Sequence, residues 1–186
     1  TRRFFEPGPA VGLTGVGQRI SLADMGLDND ACQFRFAGGA ATAFNTTQPP
    51  LANVTNPADK VVAYYLVSGA DAYDSALVGN HGTHVAGTIA GDNATAPAAQ
   101  APRTAPFTFA APDPGDGMAP GATLVVQDIG SQDGYFVAGL NQETLLLQAY
   151  ASGARVHNSS YGEVPIDTGS GYLNAYGGPS ALLDET

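Results

Sequence analysis

Short apolar segments alternate with helical patterns along this chain. Four segments have the length and composition of strands: QRISLAD (18–24), KVVAYYLV (60–67), ATLVVQDI (122–129) and GARVHNSS (153–160). Two other segments predict helices, namely HGTHVAGTIAG, which begins at His81 with Asn80 as N-cap, and NQETLLLQAYASG at 141–153. Strands that alternate with helices favour a parallel α/β sheet over an all-β sandwich.

One long segment follows neither pattern. Residues 92–117, DNATAPAAQAPRTAPFTFAAPDPGDG, are rich in Pro and Ala, which predicts an insertion on the surface. With 186 residues, the chain is long enough for one domain with a sizeable core. The pattern does not require a second domain.

Composition excludes some classes of partner. The formal net charge is -10, so a nucleic acid would be repelled. No apolar run approaches the roughly twenty residues that a membrane-spanning helix needs. Cys32 is the single cysteine and cannot form a disulfide within the chain. Four Asn-x-Ser/Thr triplets hint at export, though such triplets are frequent by chance.

Two histidines three positions apart suggest either a metal site or a catalytic base. Zinc hydrolases place their histidine pair at i, i+4 with a Glu between them, whereas Gly82 and Thr83 lie between His81 and His84, so we assign no metal site. A catalytic base needs a carboxylate that fixes its tautomer. Asp24 ends a strand, where sites form in α/β sheets, although an isolated Asp there also serves as a turn cap.

The segments around these two residues resemble a known family. HGTHVAGTIAG closely resembles the histidine motif of the subtilisin-like serine peptidases, the subtilases, and LADMGLD (22–28) resembles their aspartate motif. The resemblance implies a subtilisin-like parallel sheet flanked by helices, with His81 as general base and Asp24 as the acid that orients it. Met25 departs from the Ser or Thr that usually follows the aspartate, which changes the hydrogen bonding of the carboxylate.

Two further stretches extend the resemblance to substrate binding. GMAPGATLVVQDIG (117–130) resembles the strand after the histidine helix, and GARVHNSSYG (153–162) resembles the strand before the substrate segment, most closely in a branch of long secreted subtilases. The resemblance implies a secreted peptidase that pairs with an extended peptide or protein substrate as an added strand. The residues it assigns to that role are Ser160, Tyr161 and Gly162, with Gly134 and Tyr135 on the opposite edge.

The family's nucleophile is missing from the chain. Subtilases carry it in a GTSMA-like stretch and their oxyanion asparagine in an AAGN-like stretch, and neither occurs here. Ser170 precedes a polar loop and Ser180 lacks small neighbours, so neither replaces it. We therefore expect residues 1–186 to be the N-terminal portion of a subtilisin-like catalytic domain, inactive alone. The serine would lie on polypeptide that follows Thr186, or on a second chain.

An inactive subtilase-like binding or structural module is the alternative interpretation. The presence of both Asp24 and His81 argues against it, because such a module would need neither. The resemblance also implies structural calcium, which is common in the family. No loop of this sequence matches a calcium site, so no cofactor is assigned.

Overall fold

The protein is described by a computed structural model. Its described residues are 13–28, 31, 33–34, 59–71, 74, 79–93, 115–131, 133 and 136–161. They form β1 (Arg19–Asp24), β2 (Val61–Leu66), α1 (His81–Ala90), β3 (Thr123–Asp128), α2 (Gln142–Ala151) and β4 (Val156–Ser159). Each element lies within a segment that the hydrophobic pattern predicted, and the α/β class is confirmed.

All strand pairings in the described sheet are parallel. The strand order is β2-β3-β1-β4. β1 and β3 run in register from Arg19 opposite Thr123 to Asp24 opposite Asp128. The carboxyl ends of parallel strands meet at one edge of the sheet, so two aspartates lie side by side there.

The two helices cover opposite faces of this sheet. Leu22 of β1 belongs to a buried cluster that includes Ala86 and Ala90 of α1. The next residue, Ala23, belongs to another cluster with Leu145 of α2. Successive residues of a strand point to opposite faces, so α1 and α2 must lie on different sides. The apolar core is therefore divided between two layers.

The ends of the predicted insertion come together. Gly117 N–H donates to Gly91 O at 2.8 Å, and Asn93 N–H donates to Asp116 Oδ1 at 2.7 Å. Residues 94–114, which form most of the predicted insertion, lie outside the described residues. The described chain thus leaves α1 and returns beside its end before entering β3.

Candidate active site

A half-exposed imidazole and a buried carboxylate meet at the carboxyl end of β1. His81 Nδ1 lies 2.7 Å from Asp24 Oδ1. The side chain of His81 is 46% exposed, whereas that of Asp24 is 1% exposed. A carboxylate can only accept, so Nδ1 carries the proton and donates it, which leaves a lone pair on Nε2 of the neutral ring. The structure therefore brings together the two residues that the sequence predicted as acid and base.

Backbone groups just beyond the ends of two strands hold Asp24 in place. Met25 N–H donates to Asp24 Oδ1 at 2.8 Å, and Ile129 N–H donates to Asp24 O at 2.9 Å. The other carboxylate oxygen, Oδ2, is buried and has no hydrogen-bond partner in the described part of the chain. Met25 has no side-chain donor to offer it, whereas a Ser or Thr at that position would carry one.

A glycine lets α1 approach the turn that follows Asp24. A Cβ atom built on Gly82 would collide with Gly26 O and would lie 3.2 Å from Asp24 Cβ. On the next residue, Thr83 Oγ1 accepts the Asp28 N–H at 2.8 Å. The small residue after His81 therefore sets the distance between the helix that carries the imidazole and the turn that carries the acid.

The N-terminus of α1 is capped from a distance. Asn80 occupies the predicted N-cap position, but it lies in the left-handed region at φ 54° and ψ 48° and its side chain makes no capping hydrogen bond. Instead, Asp74 Oδ2 accepts the Thr83 N–H at 2.7 Å. The predicted helix start and N-cap position are thus correct, but the Asn80 side chain does not supply the capping hydrogen bond. Sequence reasoning missed Asp74 because it lies outside the usual capping distance.

A second buried aspartate, Asp128, stabilises the turn that follows Asp24. Tyr64 OH donates to Asp128 Oδ2 at 2.8 Å and accepts the Leu27 N–H at 2.8 Å. Gly130 N–H donates to Asp128 Oδ1 at 3.1 Å. Burial raises the pKa of Asp128 to about 7, although the hydrogen bonds from Tyr64 and Gly130 act in the opposite direction. Burial and the Asp128 charge also raise the pKa of Tyr64. The pair thereby fixes the backbone three residues beyond Asp24.

A family comparison agrees with this arrangement. The family model described as the Subtilase family matches residues 15–184. The chain belongs to the subtilase family. The prediction of an α/β, subtilisin-like parallel sheet, present here as part of a domain, is confirmed.

Two curated relatives from Dictyostelium discoideum are similar to most of this subtilase chain. The serine protease/ABC transporter B family protein tagD is 30% identical over 175 residues, which is 93% of the chain. The serine protease/ABC transporter B family protein tagB is 29% identical over 178 residues, again 93% of the chain. The chain spans only 8% of the length of each relative.

Only part of the predicted substrate segment of this subtilase is described. Ser160 is exposed, and its Oγ accepts a hydrogen bond from Asn158 Nδ2 at 2.9 Å. Tyr161 OH donates to Gln142 Oε1 at 3.0 Å, and its ring lies 4.8 Å from that of Phe136, centroid to centroid. The predicted residues outside the described part are Gly162, Gly134 and Tyr135. Peptide binding by this segment stays a prediction.

The other two histidines stand apart from the His81–Asp24 pair. His84 lies on the exposed side of α1. On β4, His157 Nδ1 lies 2.6 Å from Ser21 Oγ, and burial lowers the pKa of this histidine. Among the described residues, no three His, Cys, Asp or Glu side chains are grouped so that they could hold a metal ion. In the same part of the chain, no helix has the length and apolar character needed to cross a membrane.

Proposed function

We propose that this chain supplies the acid and base of a serine endopeptidase that works through an acyl-enzyme. The observation that carries the proposal is the 2.7 Å contact between His81 Nδ1 and the buried Asp24 Oδ1. In this mechanism Nε2 of His81 takes the proton of a serine hydroxyl while the serine Oγ attacks the peptide carbonyl carbon. Asp24 holds the Nδ1–H tautomer and stabilises the imidazolium, which then protonates the leaving amine.

The serine and the oxyanion donor come from polypeptide outside residues 1–186 in this proposal. Within the described sheet, β4 is an edge strand and its Val156 is 59% exposed, which supports the proposal. On the adjoining helix α2, Leu147 and Tyr150 are 53% and 63% exposed. A strand that, among the described residues, is paired on one side only and lies beside an apolar surface suits the addition of further chain. We therefore place the polypeptide that carries the nucleophile along β4 and α2.

The substrate in this proposal is an extended peptide that lies beside residues 160–162. The contact between the rings of Tyr161 and Phe136 supports this placement, because it joins the two segments that the sequence assigns to opposite edges of the binding groove. Backbone hydrogen bonds of an added strand would give affinity for peptides of varied sequence. Export of the protein belongs to the same proposal, on the basis of the likeness of residues 153–162 to secreted subtilases.

The test uses the complete protein, a fluorophosphonate probe and a peptide substrate. We expect the probe to label a serine outside residues 1–186. Asp24→Asn should lower kcat by roughly 10⁴-fold, because it favours the wrong tautomer of His81. His81→Ala should lower kcat by roughly 10⁶-fold, because no general base remains. His84→Ala is the matched control on α1 and should retain turnover.

The same experiment separates the enzyme from an inactive module. A folded complete protein with no labelling and no turnover would refute the peptidase. If such a protein still binds extended peptides, and His81→Ala binds them equally well, the binding module is the correct function.

A further inference from the structure

We propose that Asp74 is a positioning residue for the His81–Asp24 pair. Asp74 precedes α1, yet it contacts the first turn of that helix and acts electrostatically on both members of the pair. Its catalytic consequence rests on the proposed function. Its geometric consequence does not, so the two can be tested separately.

Asp74 sets the orientation of a hydroxyl that joins α1 to the turn after Asp24. The Asp74 carboxylate accepts from the Thr83 N–H at 2.7 Å and also hydrogen-bonds the Thr83 side chain. A carboxylate only accepts, so the Thr83 hydroxyl donates its proton to Asp74. The lone pairs of Thr83 Oγ1 then face a donor, the Asp28 N–H at 2.8 Å. Through this one hydroxyl, Asp74 connects α1, which carries His81, to the turn that follows Asp24.

The charge of Asp74 lies beside the imidazole. Burial is the largest influence and raises the pKa of Asp74, hydrogen bonds from Thr83 lower it, the Asp24 charge raises it and the His81 charge lowers it. The Asp74 carboxylate is therefore close enough to both members of the pair to interact with their charges. The first turn of α1 contains no acidic residue, and its dipole alone opposes a cation at His81. Asp74 adds a negative charge from outside the helix to that of Asp24, which contacts His81 directly.

Capping alone does not account for an aspartate at this position. Asp74 Oδ1 is buried and has no hydrogen-bond partner among the described residues. An asparagine could accept the Thr83 N–H equally well without burying an unpaired charge. The charge is thus the property that distinguishes a positioning residue from a simple cap.

The catalytic test compares Asp74→Asn with Asp74→Ala in the complete protein. Asp74→Asn keeps an acceptor for Thr83 and removes the charge. We expect an unchanged KM and a kcat about tenfold lower, because a negative charge beside the His81–Asp24 pair is lost. Asp74→Ala should lower kcat further and also lower Tm. Glu143→Gln, in the first turn of α2, is the matched control and should leave kcat unchanged.

A second readout does not depend on peptidase activity. The proton resonance of His81 Nδ1–H and the amide exchange of Asp28 both report on the joined segments. We expect the resonance to move in Asp74→Asn, and the Asp28 amide to exchange at least tenfold faster in Asp74→Ala and in Thr83→Val. Should Asp74→Asn fold poorly, Asp74→Glu and Asp74→Gln repeat the comparison, with only Asp74→Glu expected to restore the resonance.

The two readouts distinguish the possible failures. If the protein shows no turnover but the resonance and exchange change as expected, the proposed function is wrong and the positioning role of Asp74 stands. If Asp74→Asn has the wild-type resonance and, in an active enzyme, the wild-type kcat, Asp74 is only a cap and the inference is overturned.

Discussion

The two helices have equal length and similar starts, but they are held in place by different means. Each has ten residues and follows an asparagine. In α2, Asn141 accepts the Thr144 N–H at 2.9 Å, and Glu143 adds a negative charge in the first turn. In α1, Asn80 makes no capping bond and Asp74 does so from outside the helix. The start of α2 is therefore stabilised by residues next to it in sequence. The start of α1, which carries His81, is stabilised by a tertiary contact.

The sheet also meets the two helices with different polar groups. Gln127 of β3 donates to Leu145 O at 2.8 Å and to Gln148 Oε1 at 2.7 Å, so neutral amides join it to α2. The next residue is Asp128, and with Asp24 it forms the acidic edge beside the turn on which α1 packs. The two buried carboxyl groups at the strand ends thus lie on the side of α1. This difference predicts where the stability of the protein should depend on pH.

The largest expected effect is on the pH dependence of stability in Asp128→Asn. The pKa of Asp128 is raised from 3.8 to about 7 in the folded protein. Between pH 4 and pH 7 the unfolded state loses this proton while the folded state keeps it, so stability falls as the pH rises through that window. Asparagine has no such proton. The stability of Asp128→Asn relative to wild type should therefore rise by up to about 4 kcal/mol between pH 4 and pH 8.

Urea unfolding of the complete catalytic domain at several pH values measures this effect. Gln127→Ala is the control on the α2 side, and its cost should be the same at each pH because no proton is involved. An equal pH slope in wild type and Asp128→Asn would show that Asp128 is ionised throughout, and the contrast between the two sides of the sheet would be lost.

The next largest effect concerns the close approach of α1 to the turn that follows Asp24. Gly82→Ala places a methyl group against Gly26 O, and overpacking of this kind should cost about 3 kcal/mol and lower kcat by displacing His81. Gly87→Ala is the matched control in the same helix, since a Cβ there would meet nothing within 4 Å. It should gain up to about 1 kcal/mol from helix propensity. Equal behaviour of the two variants would mean that α1 does not depend on this contact.

The sequence predicts the surroundings of α2 more completely than those of α1. The pattern of α2 contains its own cap, first-turn acid and buried stripe, so its bounds could be read locally. His81 and Asp24 were found through short motifs that end one strand and begin one helix. Asp74 could not be found this way, because it reaches α1 only after the chain folds back. Asp128 has a sequence signal of its own, because like Asp24 it ends an apolar strand.

The smallest expected effect tests the two caps directly. Asn141→Ala removes the acceptor for the Thr144 N–H and should cost about 1 kcal/mol in urea unfolding, because that amide loses its partner. Asn80→Gly should change stability by no more than about 0.5 kcal/mol, since the side chain makes no capping bond and glycine readily adopts a φ of 54°. A loss at Asn80 as large as the loss at Asn141 would mean that α1 is capped locally after all. The remote carboxylate of Asp74 would then be redundant as a cap, and only its charge would remain to explain its position beside His81.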